Sequence, residues 1–136
     1  MPQPEAKLKT KLKEGFEKLY QFQPHFYFPL VASMMQLPGV PDIFVAAEGH
    51  TAWIEAKAND GKLRTTQQLT LPKMVAAGCR VIILHADMEV DKDQRVLSLC
   101  QVTRLGGVDP LPVLGRWSAL DTKPFWHCIL GIPYAR

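Results

Sequence analysis

The chain has 136 residues, of which 47% are hydrophobic and 21% are charged, and its formal net charge is +3. This length and composition predict one globular domain with a sizeable core, and they exclude a low-complexity or disordered chain. The mild positive charge permits nucleic-acid binding but does not by itself argue for it.

Two features of the sequence bear on the cellular compartment: the lack of a long apolar segment and the spacing of the cysteines. No apolar run reaches the length of a membrane span, and the N-terminus lacks the apolar segment of a secretory signal. Cys79, Cys100 and Cys128 have neither the spacing of a disulfide framework nor that of a zinc site, and we interpret them as buried thiols. We therefore expect a cytoplasmic protein with no membrane partner.

A helix is predicted from Pro4 to Tyr20, because five apolar residues recur there at helical spacing. They form a stripe about 120° wide, with Glu5 near its centre and Glu14 on the opposite side. Glu5 is either a first-turn acid that complements the helix dipole or an inward carboxylate that needs a partner. Lys9 lies one turn further on nearly the same side, where it pairs with Glu5 or contacts a phosphate.

Aromatic residues and two prolines follow this helix. The segment from Gln23 to Leu30 contains Pro24 and Pro29, which favours a short edge strand because proline cannot donate to a central ladder. The segment from Val31 to Pro38 is predicted to be a connecting loop.

A β-hairpin is predicted next, with strands from Ile43 to Ala47 and from Thr51 to Lys57 joined by a tight turn at Glu48-Gly49. If the turn has two residues, Asp42 lies directly opposite Glu55. The Cβ atoms of these two acids are then about 5 Å apart on one face of the sheet.

Alternation along the second strand places Lys57 on the same face as Glu55. Two carboxylates about 4 Å apart repel each other by roughly 4 kcal/mol at an effective dielectric near 20, so a cation is expected between them. Carboxylate and carbonyl oxygens suit Mg²⁺ or Mn²⁺. In the alternative interpretation, Asp42 caps the start of a strand, and Glu55 and Lys57 are its outward polar positions.

The polar segment after Lys57 reads as a loop that brings Lys62 and Arg64 beside the proposed site. A second helix is predicted to run to Ala77, with Thr65 or Thr66 as its N-cap.

The next part of the chain is predicted in three pieces. Residues Arg80 to His85 form a continuous apolar run and are predicted to be a buried strand, parallel to one of its neighbours. The acidic stretch from Asp87 to Asp93 is interpreted as a surface turn. Residues Arg95 to Thr103 fit either a strand or a helix.

The C-terminal segment from Gly106 to Arg136 is rich in proline and aromatic residues, which argues against disorder. We expect it to pack as irregular structure on the core or against a partner subunit. Trp126 and His127 either stack on a base or pack in the core, and packing is favoured.

The hairpin residues carry a family resemblance. Pro41-Asp42, twelve residues, and then Glu55-Ala56-Lys57 resemble the signature of PD-(D/E)XK nucleases. The stretch from Gly39 to Ile43 is similar to the form of this signature in small phage and archaeal members. Within the superfamily the chain most resembles stand-alone VRR-NUC and Holliday-junction-resolvase-like nucleases, over about Pro4 to His85.

The resemblance implies a fold. It is an α/β, restriction-endonuclease-like core in which a mixed β-sheet is flanked by helices, in the order α-β-β-β-α-β. Alternation of helices and strands supports such a sheet independently. We expect a single domain over residues 1–136, with its core at about 4–103 and an extension at 104–136.

The resemblance also implies the roles of the residues around a metal site. Asp42, Glu55 and the backbone carbonyl of Ala56 would hold Mg²⁺ or Mn²⁺, and Glu5 would contribute directly or through water. Lys57 would orient a water or steady the phosphate.

Further residues are implied around this site. Gln67 matches the glutamine of the family pattern TxxQ, which supports the water or the phosphate, although an exposed first-turn position is the alternative. Lys62, Arg64, Ser33 and Lys9 are the candidate DNA-binding residues.

The function implied is metal-dependent hydrolysis of DNA phosphodiester bonds. Resolvase-like relatives imply branched DNA such as Holliday junctions, cut by a homodimer, and phage-encoded relatives imply a phage or prophage source. Two alternatives stay open: a nuclease for linear, nicked or flap DNA, and a non-catalytic DNA-binding or structural module of the same fold.

Overall fold

The structure, a computed structural model, describes residues 4–30, 39–91, 94–105 and 110–133. Its elements in chain order are α1 (Pro4–Leu19), β1 (His25–Pro29), β2 (Ile43–Ala47), β3 (His50–Ala58), α2 (Thr65–Ala76), β4 (Val81–Asp91), β5 (Gln94–Leu105), β6 (Pro110–Trp117) and α3 (Lys123–Leu130). The predicted α/β class is confirmed. The first six elements also follow the predicted order of helix, three strands, helix and strand.

The strands form one mixed sheet in the order β1-β2-β3-β4-β5-β6. β3 and β4 run parallel, as expected for two strands joined by a crossover helix, and the other neighbouring pairs are antiparallel. β1 lies at one edge, in agreement with its proline content.

Helix α1 packs on one face of the sheet through the predicted apolar stripe. Leu8, Leu12 and Phe16 are fully buried in the same core cluster as Ile43 and Ile54 of the hairpin. Glu14 is exposed on the opposite side of the helix, as predicted. This packing fixes the direction of α1, so that its first turn points toward the end of β3.

The hairpin between β2 and β3 has the predicted two-residue turn. Glu48 and Gly49 both have positive φ, 53° and 78°, which matches the twist of the flanking strands. The register pairs Ala47 with His50 and Ile43 with Ile54. The next pair along the ladder is therefore Asp42 and Glu55, as the sequence predicted.

Helix α2 packs on the other face of the sheet, against β4 and β5. Its N-cap is Arg64, so the prediction of Thr65 or Thr66 is wrong. The reason is a bond from the third helical residue: the Gln67 Oε1 accepts a hydrogen bond from the Arg64 backbone N–H at 3.0 Å. This reach-back bond fixes the helix start one residue earlier.

The structure corrects the prediction for the acidic stretch. β4 continues to Asp91 and pairs with β5 from Ile82 to Asp91, so a surface turn over 87–91 is wrong. Cross-strand pairing overrides the polar composition there, because polar side chains on a two-stranded extension can face solvent. Residues 92–93 lie outside the described part of the chain. The ambiguous segment from Arg95 to Thr103 is a strand, within β5.

The C-terminal segment packs on the core, as predicted, but it is not irregular: it forms β6 and α3. Phe125 and Trp126 are fully buried, and the Trp126 Nε1–H donates to the Leu120 carbonyl at 2.7 Å. Trp126 is therefore a core residue and is not available to stack on a base. The proposed irregular packing at 106–109 and 134–136 lies outside the described residues.

The cysteine prediction is correct for Cys100, which is buried, and wrong for Cys79 and Cys128, which are partly exposed.

Among the described helices, none has both the length and the apolar character needed to cross a membrane.

Candidate metal centre

Three carboxylates from three separate elements converge at one end of the hairpin. Glu5 comes from the first turn of α1, Asp42 directly precedes β2, and Glu55 lies on β3. One oxygen of each carboxylate lies within 4.8 Å of the other two. These are the three side chains that the sequence singled out as possible metal ligands.

Backbone contacts hold Asp42 in this position. The Leu30 backbone N–H donates to the Asp42 carbonyl at 2.7 Å, which ties the end of β1 to this residue. The Ala56 backbone N–H donates to the Asp42 Oδ2 at 3.3 Å. The side chain of Asp42 thus continues the hydrogen-bonded ladder where β2 begins, and its carboxylate is oriented toward β3.

Gly39 allows the segment before Asp42 to approach α2. Its φ is +88°, and a Cβ added there would lie 2.3 Å from the Thr66 carbonyl oxygen. Both the dihedral angle and the close approach require glycine. The backbone path that leads to Asp42 therefore depends on this residue.

Glu55 is the most deeply buried of the three acids, with 1% of its side chain exposed. Neither of its carboxylate oxygens accepts a well-formed hydrogen bond from the part of the chain that the structure describes. Burial and then the neighbouring Asp42 carboxylate raise the pKa of Glu55 from 4.5 to about 7, while Gln67 and Lys57 act in the opposite direction. A buried carboxylate without hydrogen bonds is costly, and a bound cation would remove that cost.

Lys57 lies on the same side of β3 as Glu55, as predicted. Its Nζ is 3.0 Å from the Glu55 Oε2 and 4.0 Å from the Glu5 Oε1, and 9% of its side chain is exposed. Lys9 adds a second ammonium, 3.4 Å from the Asp42 Oδ1. Lys9 therefore pairs with Asp42, a contact that helical spacing alone does not predict. When Glu55 is ionised, three carboxylates face two ammonium groups and the centre has net negative charge.

Gln67 lies in the first turn of α2 and is fully buried, so the alternative of an exposed position is wrong. Its Oε1 accepts the Arg64 N–H, whereas its Nε2 is buried and has no hydrogen-bond partner among the described residues. Because Gln67 lowers the pKa of Glu55, its amide lies beside this carboxylate.

The other predicted residues have mixed outcomes. Lys62 and Arg64 are exposed on the loop between β3 and α2. This loop starts next to the centre, because a Cβ added at Gly61 would lie 3.7 Å from the Lys57 Cδ. Ala56 lies beside Asp42, because its backbone N–H donates to the Asp42 carboxylate. Ser33 lies outside the described residues.

The donor set fits a hard divalent cation. All three side chains offer carboxylate oxygens, which suit Mg²⁺ and Mn²⁺ better than softer metals. Two features of the protein itself agree with such a ligand: the buried Glu55 carboxylate, which pairs with the Lys57 ammonium but accepts no well-formed hydrogen bond from described residues, and the clustering of like charges.

A second polar cluster was not expected from the sequence. The Tyr20 hydroxyl donates to the Glu48 Oε2 at 2.7 Å, and the His127 Nε2 lies 2.8 Å from the same oxygen. These contacts join α1, the hairpin turn and α3. His127, a candidate for base stacking, is engaged here instead. No sequence pattern signals this cluster, because the three residues are far apart in the chain.

Comparison with known protein families, with curated proteins and with solved structures finds no match for this chain.

Proposed function

We propose that this protein is a metal-dependent nuclease that hydrolyses DNA phosphodiester bonds. One observation carries the proposal: the buried Glu55 carboxylate, without hydrogen bonds from described residues, lies with Asp42 and Glu5 within 4.8 Å and next to the Lys57 ammonium. The PD-(D/E)XK resemblance of these same residues supports it.

In this proposal, Asp42, Glu55 and the Ala56 carbonyl hold Mg²⁺ or Mn²⁺, and Glu5 contributes directly or through a water. A cation bound there would supply Lewis-acid chemistry, polarising a phosphate oxygen and lowering the pKa of a bound water. The Ala56 N–H bond to Asp42 supports the assignment, because it holds one ligand in place before the metal arrives.

Lys57 and Gln67 have separate roles. An ammonium group has no lone pair to accept a proton, so Lys57 donates hydrogen bonds to the attacking water or to the phosphate oxygens on which charge develops. Gln67 presents its Nε2, which has no well-formed hydrogen bond among the described residues, as a further donor to water or phosphate. Lys62, Arg64 and Lys9 contact the DNA backbone, which positions the substrate without reading its sequence.

The finer parts of the proposal rest on the resemblance. Branched DNA, such as a Holliday junction, is the proposed substrate, and a homodimer places two cuts symmetrically. A cytoplasmic location goes with this proposal.

The experiment is a cleavage assay with a labelled four-way junction, a linear duplex and a single strand of the same sequence. Each substrate is incubated with Mg²⁺, Mn²⁺ or EDTA, using the wild-type protein and the variants Glu55→Gln and Glu14→Gln. We expect cleavage of the junction in either metal, none in EDTA, none with Glu55→Gln, and wild-type rates with Glu14→Gln. Comparable cleavage of the linear substrates would replace branched DNA by a broader substrate class. No metal-dependent product from folded protein would contradict the nuclease proposal.

A further inference from the structure

Four aromatic side chains form a continuous row across the first three strands. Phe28 lies directly opposite Phe44, and Phe44 lies opposite Trp53. Phe26 is two residues before Phe28 on β1, and its ring contacts both Phe28 and Phe44, at centroid distances of 6.0 and 6.3 Å. Phe44 contacts Trp53 at 4.9 Å. We call Phe26, Phe28, Phe44 and Trp53 the aromatic row.

The aromatic row lies on the sheet face that carries Asp42 and Glu55. Directly opposite residues of antiparallel strands share a face, and side chains two residues apart on one strand do too. Phe44 is two residues from Asp42, and Trp53 is two residues from Glu55, a separation of about 7 Å along each strand. The row therefore runs parallel to the Asp42–Glu55 pair, one step along the sheet.

Part of this row is left uncovered by the residues that the structure describes. Helix α2 covers the β4 and β5 side of the face, where Trp53 packs into the cluster around Leu71 and Val81. On the β1 side, 53% of Phe26 and 41% of Phe28 are exposed. The two rings are nearly parallel, with an angle of 12° between their planes. Adjacent exposed aromatic rings form an apolar surface patch, and such patches mark interaction sites.

The position of this uncharged surface next to the carboxylates bears on what binds there. Two sets of directly opposed residues make up this surface. Phe28 and Phe44 form one set, Phe26, Ala46 and Thr51 form the other, and neither set contains a charged residue. The aligned side chains therefore add no repulsion of their own against a polyanion. The surface also leads from the sheet edge directly to the carboxylates and Lys57, so whatever occupies it continues into the proposed phosphodiester site.

We propose that Phe26, Phe28 and Phe44 stack with unpaired nucleobases of the nucleic acid whose backbone enters the metal centre. This inference rests on the proposed function and names its substrate class: nucleic acid with unpaired nucleotides next to the phosphate that is cut. Aromatic platforms are how proteins bind single-stranded nucleic acid without sequence preference. A paired duplex cannot place its base faces on these rings.

The test measures binding without cleavage, in EDTA, by fluorescence anisotropy. A labelled oligothymidine is compared with an abasic oligonucleotide of the same length and charge, at one fixed salt concentration. Each stacked base strengthens binding by about fivefold or more, so we expect the base-bearing strand to bind at least about tenfold tighter. Equal affinity for the two strands would overturn the proposal.

Three variants separate ring stacking from other contacts. The double variant Phe26→Leu/Phe28→Leu keeps apolar area without rings and is expected to lose most of the preference for bases. Phe26→Tyr/Phe28→Tyr keeps the rings and is expected to retain it. Phe22→Leu is the matched control, because Phe22 is exposed but is not in the aromatic row. Full retention of the preference by the double leucine variant would contradict stacking.

A second copy of the chain is the competing occupant, and sedimentation velocity detects it. If the double leucine variant changes from dimer to monomer while its preference for bases is unchanged, the row is a dimer interface and the proposal is wrong. Failure of the nuclease proposal is a separate result. Base-dependent binding without hydrolysis in Mg²⁺ would support base stacking on the aromatic row and contradict the nuclease proposal. Hydrolysis without base-dependent binding would contradict base stacking alone.

Discussion

The backbone N–H of Ala56 donates a hydrogen bond to the Oδ2 of Asp42 at 3.3 Å, across the open end of the β2–β3 hairpin. This bond connects the loop that precedes β2 to the strand that carries Glu55 and Lys57. It orients the Asp42 carboxylate, while the strand pairing of β3 fixes Glu55. Both side chains are therefore in place before any ligand binds. We expect the centre to be preorganised for this reason.

Glu5→Gln is predicted to slow DNA cleavage in Mg²⁺ by about tenfold or more, because it removes one charged oxygen donor from the centre. Glu14→Gln is the matched control on the exposed side of the same helix. It changes charge equally and is expected to leave the rate unchanged. Equal effects of the two substitutions would undo the assignment of Glu5 to the centre.

The contribution of Glu55 to the stability of the metal-free protein is predicted to fall as the pH rises from about 4.5 to about 7. The folded-state pKa of Glu55 lies near 7, above its ordinary value of 4.5, so between these values the folded protein holds a proton that the unfolded chain releases. The stabilising contribution of the proton is complete below pH 4.5 and lost above pH 7. The loss amounts to about 3 kcal/mol in the free energy of unfolding.

Urea denaturation in EDTA at several pH values measures this dependence. Glu55→Gln is neutral throughout and should show a flatter profile than the wild type. Identical profiles for the two proteins would show that Glu55 has an ordinary pKa and is not buried in the way described.

Lys57→Met is predicted to retain divalent-cation binding and lose cleavage. Lys57 lies 3.0 Å from the Glu55 Oε2 and competes with a cation for the same charge, so its removal should leave Mn²⁺ affinity at least as high as in the wild type. Its donor to the water or phosphate is lost, which should lower the cleavage rate by about 100-fold or more. Calorimetric titration and single-turnover cleavage measure the two effects. Parallel loss of both would mean that Lys57 serves only to hold the centre together.

Glu48→Asn is predicted to destabilise the protein by about 1–2 kcal/mol, although asparagine suits the positive φ at this position better than glutamate does. The shorter side chain loses the contacts of the Glu48 carboxylate with Tyr20 and His127. Thermal unfolding at neutral pH measures the change. Glu89→Asn, at an exposed position of β4, serves as the control. A gain in stability would show that backbone strain at the turn outweighs the lost contacts.

Local patterns in the sequence predict much of the part of the chain that builds the candidate metal centre. The two-residue turn sets the hairpin register and places Asp42 opposite Glu55, and the helical stripe turns Glu5 toward the core, whereas the position of Glu5 beside the other two acids was implied by the resemblance. Both patterns are short-range, and short-range periodicity is the feature that a sequence reports well.

Long-range pairing was not predictable in the same way. The extension of β4 through acidic residues is stabilised by β5, and β6 and α3 are stabilised by packing, so composition misled in both places. The Lys9–Asp42 and Glu48–His127 contacts join residues that are distant in the chain. The aromatic residues of β1 are visible in the sequence, but their alignment with Phe44 and Trp53 requires the register of three strands.

Mn²⁺ binding tests the central claim most directly. Free Mn²⁺ is measured by electron paramagnetic resonance during titration at pH 8, where Glu55 is ionised, for the wild type, Glu55→Gln and Glu14→Gln. We predict saturable binding to the wild type and to Glu14→Gln, and binding at least about tenfold weaker to Glu55→Gln. Equal binding by the wild type and Glu55→Gln, or no saturable binding to folded wild-type protein, would contradict the metal centre.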